Sequence, residues 1–120
     1  MQVETRLSDQ IARYLDLSVS QTKLTAANMA NIDTPGYRAV GMDFTAEMRR
    51  ALADVDAGPV AHPLELAPED GLVARPDGNN VSMDREGLTM AEAQLKFRTG
   101  VALLRMENQR VMDAIHADGK

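Results

Sequence analysis

The most restrictive feature of this sequence is a seven-residue repeat in its last third. Met83, Met90, Phe97, Leu104 and Val111 recur at intervals of seven, and Gly87, Gln94, Val101, Asn108 and Ile115 each follow four residues later. Sustained over five cycles, such a repeat makes the seam of a coiled coil or helical bundle, because a period near 3.5 keeps one stripe of a helix facing its partner. The second line is imperfect, since Gly87, Gln94 and Asn108 fall on it. The spacing predicts a helix over 81–117, roughly 50 Å long at 1.5 Å per residue. Ser82 or Asn80 suits its N-cap, and Asp84 and Glu86 complement the positive end of its dipole.

A helix this long needs something to lie against, and the first third supplies it. Leu7, Ile11, Tyr14 and Leu15 fall at helical spacing, and neither Gly nor Pro occurs before Pro35. The reading is a helix over 5–33. Its second half turns to small and amide-bearing residues (Thr22, Thr25, Ala26, Ala27, Asn28, Ala30 and Asn31), which let another helix approach closely. The predicted fold class is therefore mainly α. Two long terminal helices form a coiled-coil-like pair, joined by a short turn and extended segment and an irregular middle loop, within a single rod-type domain over 1–120.

The first helix is expected to stop at Asp33-Thr34-Pro35-Gly36. Proline lacks an N–H and disfavours helical geometry at the residue before it. Pro35-Gly36 fits the central positions of a type II turn, and Asp33 is placed to accept a backbone N–H. Tyr37 to Met42 then alternates as a short extended segment, and Asp43 or Thr45 is positioned to cap a short helix through about Ala53. Residues 54–80 hold Gly58, Pro59, Pro63, Pro68, Gly71, Pro76 and Gly78. They read as an exposed flexible loop, with a weak hairpin between 64–66 and 72–74 as the alternative.

Composition narrows the function classes. The net charge of -5 is concentrated in the middle, with residues 46–80 carrying -4, residues 1–45 carrying -1 and residues 81–120 summing to zero. Balanced ends and an acidic middle point to termini that pack on protein and a middle that meets water. Arg49-Arg50 is the only adjacent basic pair, so no run tracks phosphates and no nucleic-acid partner is expected. The absence of Cys excludes a disulfide framework and thiolate chemistry. No apolar run approaches the length of a membrane span, and no apolar leader follows Met1. His62 with Glu65 and Glu69 has a loose metal-like look, but one His at that spacing falls short of a four-ligand site. No glycine-rich phosphate loop or nucleophile motif is present. The expectation is no enzyme, no cofactor, no metal and no small-molecule substrate.

The stretch Ala26-Ala27-Asn28-Met29-Ala30-Asn31-Ile32-Asp33-Thr34-Pro35-Gly36-Tyr37-Arg38 resembles the signature of flagellar basal-body rod proteins, members of the flagellar axial family of rod and hook proteins. Met42-Asp43-Phe44, Gly78-Asn79-Asn80-Val81-Ser82-Met83-Asp84-Arg85-Glu86 and Ala91-Glu92-Ala93-Gln94-Leu95-Lys96-Phe97 are similar to blocks of the proximal-rod members. Phe97 stands where Tyr is common in that family, and Gly100 interrupts the last helix. The resemblance implies a structural subunit of the proximal rod, in the periplasm above the inner-membrane ring, exported without a cleaved signal peptide. It implies as partners the adjacent rod subunit FlgC, copies of the chain itself, the adaptor FliE and the MS-ring protein FliF.

Three sets of residues then become candidates for the assembly interface. Asn28 and Asn31, neighbours at i and i+3, read as amides that fix helix register, or more plainly as polar residues near a helix end. Pro35, Gly36 and Tyr37 form the turn, with Tyr37 suited to an interface. Met83, Met90, Phe97, Leu104 and Val111 form the stripe, whose partner is either the chain's own first helix or another subunit. The rival reading, a cytosolic coiled-coil adaptor or export chaperone, explains the heptads but not the Pro-Gly-Tyr turn.

Overall fold

Residues 5–57 and 63–118 are described by the computed structural model. The elements in chain order are α1 (Arg6–Ala30), β1 (Val40–Met42), α2 (Phe44–Ala57), β2 (Leu66–Pro68) and α3 (Met83–Asp118). Helices α1 and α3 are antiparallel along their length: Thr5 meets Glu107 at one end, and Asn28 meets Glu86 at the other. The molecule measures 71 × 27 × 21 Å with a radius of gyration of 18.5 Å. A compact chain of this length has a radius near 14 Å, so this is a rod-shaped pair rather than a globule.

Local chemistry explains where the elements begin. Thr5 caps α1 in a reciprocal box, its hydroxyl accepting from the Ser8 N–H at 3.0 Å and its own N–H donating to Ser8 Oγ at 2.8 Å. Asp43 caps α2, accepting from the Ala46 N–H. Ser82 caps α3, accepting from the Arg85 N–H. Phe44, at the start of α2, sets that helix against the pair. Its ring stands edge-on to Tyr14 at 5.6 Å, and Lys96 Nζ lies 3.9 Å above it.

Helix α1 ends at Ala30, three residues before the expected stop. The cause is Asn31. Its side-chain amide donates to the Ala27 carbonyl, the acceptor that its own backbone N–H would use in a continuing helix. That N–H turns instead to the Asn28 carbonyl, closing the helix in a tighter turn. Asn31 Oδ1 also accepts from the Thr34 hydroxyl, so Asn31 rather than Asp33 closes the approach to the turn. Pro35-Gly36 then forms a type II turn, with Gly36 at φ 74° and the Tyr37 N–H bonded to the Thr34 carbonyl.

The middle corrects one expectation. The hairpin of 64–66 with 72–74 does not form. Residues 66–68 pair instead with 40–42, antiparallel, with Gly41 opposite Ala67. Gly41 lets the Glu69 side chain lie close across β1, where a Cβ would sit 3.0 Å from Glu69 Cγ. Helix α2 also runs to Ala57, past the expected end near Ala53. His62 lies outside the described residues.

The closest approach of α1 and α3 uses small residues and carboxylates, not the large apolar stripe. The buried line on α3 is Glu86, Ala93, Gly100 and Glu107, itself a seven-residue repeat. At Gly100 a Cβ would lie 2.6 Å from Leu15 Cδ2 and 3.1 Å from Tyr14 Cδ1. Gly100 is thus where the helices touch, not a flaw in the seam. Met90, Leu104 and Val111 flank this line half-buried, while Met83 and Phe97 remain 43% and 41% exposed. Among the described residues the buried apolar set is small: Ile11, Leu17, Ala39, Val81 and Ala93.

Helix α3 is apolar on its far side as well. Leu88, Leu95 and Met106 are 62%, 66% and 67% exposed. Their positions lie about a third of a turn or more from Ala93 and Gly100 at 3.6 residues per turn. No helix among the described residues is long and apolar enough to cross a membrane.

The two glycines of α3 are expected to respond oppositely. Gly87 has open space where a Cβ would stand, so Gly87→Ala should stabilise the chain by up to ~1 kcal/mol through helix propensity. Gly100→Val should destabilise it by about 1–3 kcal/mol through overpacking against Leu15 and Tyr14. Urea unfolding followed by circular dichroism measures both. Equal effects at the two sites would contradict the close approach at Gly100.

Candidate functional site

The densest polar structure in the molecule lies where the end of α1, the Pro-Gly turn, the strand pair and the start of α3 converge. Asn28 is its hub and is 1% exposed. Its Nδ2 donates to the Val40 carbonyl at 2.8 Å and to Glu86 Oε1 at 3.2 Å. Its Oδ1 accepts from the Tyr37 hydroxyl at 3.0 Å and from the Val40 N–H at 3.2 Å. The amide thereby replaces a missing strand partner for Val40 and ties α1 to α3. A buried amide is stable only when its donors and acceptors are matched, and here both atoms are used twice.

Two further asparagines extend the network. Asn79, wholly buried, donates to the carbonyls of Asn31 and Thr34 at 2.8 and 2.9 Å, and accepts from the Val81 N–H. It satisfies carbonyls that the helix end and the turn leave open. Asn80 Oδ1 accepts from the Ala39 N–H at 2.7 Å, and the Asn80 N–H donates to the Tyr37 carbonyl. The turn at 34–37 is pinned from the other side, with the Gly36 N–H donating to the Asp77 carbonyl. A Cβ on Gly78, which has φ 86°, would lie 3.4 Å from Gly36 Cα, so two glycine turns stack back to back. Arg75 closes the far side, donating to the carbonyls of Ile32 and Val81.

Two carboxylates mark the ends of the helix pair, in opposite environments. Glu86 is wholly buried, and burial first of all pushes its carboxyl up to about 7, with the neighbouring Glu69 adding to the rise and the Asn28 amide opposing it. Glu107, 4% exposed, accepts from Arg110 Nε and Nη2 at 2.9 and 2.8 Å and from the Thr5 hydroxyl at 2.8 Å. Arg110 foremost, then Thr5, hold its carboxyl down to about 2. Among the described residues no group of three or more His, Asp and Glu side chains converges as a metal site.

No family model matches the chain. It is, however, similar over nearly its whole length to flagellar basal body rod proteins FlgB. One from Cereibacter sphaeroides is 34% identical over 128 residues, covering 95% of this chain and 99% of the relative. The chain belongs to the FlgB family. Other members are 28% identical in Salmonella typhimurium, over 84% of this chain and 86% of that protein, and 26% identical in Escherichia coli, over 86% and 88%.

The structure sorts the candidate residues of this FlgB-family chain into two groups. Asn28, Asn31, Pro35, Gly36 and Tyr37 come together at the junction, with Asn28 inside it and Pro35 and Gly36 exposed. Met83, Met90, Phe97, Leu104 and Val111 run along α3, from its start at the junction to its far end. Phe97 lines a groove between the helices with Val19, Thr22, Lys23, Gln94 and Arg98. Sequence reasoning missed the roles of Asn79, Asn80 and Glu86, although all three stand in the block that carries the resemblance. Bonds such as Asn79 to Asn31 span 48 residues, and no local pattern announces them.

Asn28→Ala should destabilise the chain by roughly 3 kcal/mol or more, since it strands the Val40 backbone, the Tyr37 hydroxyl and Glu86 together. Tyr37→Phe removes one hydrogen bond and should cost about 1 kcal/mol. Chemical denaturation compares the two. A Tyr37→Phe effect as large as that of Asn28→Ala would remove Asn28 from the centre of the network.

Proposed function

We propose that this chain is a structural subunit of the proximal rod of the bacterial flagellar basal body, assembling through its terminal helices into the drive-shaft tube. One observation carries the reading: α3 shows large apolar side chains on a face that α1 does not cover, at Leu88, Leu95 and Met106. Large apolar side chains left exposed along one helix face are surface that a partner can cover. The buried apolar set is meanwhile small, so contacts with neighbouring subunits add to the stability of the pair. Subunits that pack head-to-tail build an open helical assembly when the rotation between neighbours does not close into a ring.

In this reading Met83, Phe97 and the exposed α3 face meet neighbours, and Pro35, Gly36 and Tyr37 present the turn beside them. Asn28 and Asn31 serve assembly indirectly, by holding the junction's shape. The partners are FlgC and copies of the chain, with the adaptor FliE and the MS-ring protein FliF at the base. The chain reaches the periplasmic rod by export without a cleaved signal peptide, and it performs no catalysis. Membership of the FlgB family and the shape of the helix pair support this reading. A cytosolic adaptor or export chaperone would instead remain in the soluble fraction and never co-purify with basal bodies.

Leu95→Glu and Phe97→Glu, introduced into the full chain in its native cell, should leave the helical circular dichroism of the purified protein unchanged. Both should abolish motility and leave basal bodies without a completed rod under the electron microscope. Normal rods in cells that lack this chain altogether would sink the assignment.

A further inference from the structure

The junction contains two carboxylate oxygens that the hydrogen-bond network leaves without a partner. Glu86 Oε2 and Glu69 Oε2 are both buried and both unbonded. Glu86 Oε1 accepts from Asn28, and Glu86 is wholly buried. Glu69 packs across Gly41 at the end of the strand pair, its backbone N–H bonded to the Ala39 carbonyl. The only other buried side-chain oxygen without a partner among the described residues is Gln21 Oε1, on α1. Two like charges cannot share one dry site, because each adds a Coulomb cost to the desolvation cost of the other.

One proton removes both vacancies at once. We propose that Glu86 and Glu69 share a proton, Glu86 Oε2–H donating to Glu69 Oε2, and that this carboxyl pair latches α3 to the strand pair, loosening when the proton leaves. The polarity follows from the surroundings. The Arg85 guanidinium lies 3.7 Å from Glu69 Oε2 and is itself anchored by the Asp70 carbonyl, so the charge rests on Glu69. Glu86 receives a neutral amide from α1, and the charged groups that act on it are Glu69 and Arg85. Arg75, the next cation in the junction, is committed to backbone carbonyls. Tyr37 reaches the pair only through Asn28.

The latch has a definite sign. The Glu86 carboxyl sits at about 7 in the folded chain against 4.5 as an ordinary glutamate, so the folded state binds the proton more tightly than the unfolded one. The contribution of the latch to stability is full below about pH 4.5 and is lost as pH rises through about 7. The pairing is independent of assembly and holds for the isolated chain.

The test compares the full-length wild type with Glu86→Gln and Glu69→Gln by urea unfolding between pH 5 and pH 8. All three proteins share every other titratable group, so differences between them isolate the pair. The wild-type folding constant should fall roughly 10- to 100-fold more than that of Glu86→Gln over this range, with Glu69→Gln between the two because burial still acts on Glu86. An infrared spectrum of the folded wild type at pH 6 should show the stretch of a protonated carboxyl, absent from Glu86→Gln. Parallel pH profiles for all three proteins would overturn the latch, as would a folded wild type at pH 6 with no protonated-carboxyl band. The infrared measurement on the wild type and the Glu69→Gln profile decide the matter even if Glu86→Gln fails to fold.

Discussion

The Asn28 side chain is the contact on which the rest of this molecule depends. One amide supplies both bonds to the backbone of Val40, holds the Tyr37 hydroxyl and reaches Glu86 on the opposite helix. Without it the strand segment has no partner on the α1 side, and the turn loses the side chain that fixes its outgoing direction. Helix packing alone leaves α1 and α3 free to slide, because a line of Ala93 and Gly100 offers little to interlock. A buried amide whose four bonding positions are all filled specifies one register, since any slip by a turn strands polar groups in a dry site.

Close approach and thin packing are two sides of the same choice. Gly100 lets α1 come so near that even a methyl group would meet Leu15 and Tyr14. The benefit is a tight, long pair; the consequence is that the large apolar residues of α3 are pushed to its flanks and far side. Phe97, Leu88, Leu95 and Met106 therefore stand exposed on a chain that has few aromatic residues to spare. A member of the FlgB family with this arrangement holds most of its unspent hydrophobic surface where a neighbour can reach it.

The ends of the pair are fastened by carboxylates of opposite character. Glu107 keeps its charge because a guanidinium and a hydroxyl converge on it. Glu86 faces a neutral amide and a second carboxylate inside the fold, where charge is expensive. The two residues are 21 apart, three full heptads on one stripe of α3, so the same line of the helix ends in an ion pair at one side and in a carboxyl cluster at the other. Identical chemistry at equivalent positions has been given different work by what α1 and the strand pair bring to it.

Much of this was legible in the residues themselves. The two helices, their approximate limits, the type II turn at Pro35-Gly36 and the Ser82 cap follow from periodicity, proline geometry and capping, which act within a few residues. The family was legible too, because the Asn-Met-Ala-Asn-Ile-Asp-Thr-Pro-Gly-Tyr stretch is contiguous. The seven-residue period of α3 was legible as well, but not which of its lines lies nearest α1: the apolar line runs through Met83 and Phe97, whereas the line closest to α1 is Glu86, Ala93, Gly100 and Glu107. Only the tertiary structure decides such a phase, as it decides that residues 66–68 pair with 40–42 and that Asn79 reaches across to Asn31. Those choices depend on which groups remain unsatisfied once distant segments meet, and a hydrogen bond across 48 residues leaves no trace in the spacing of the chain.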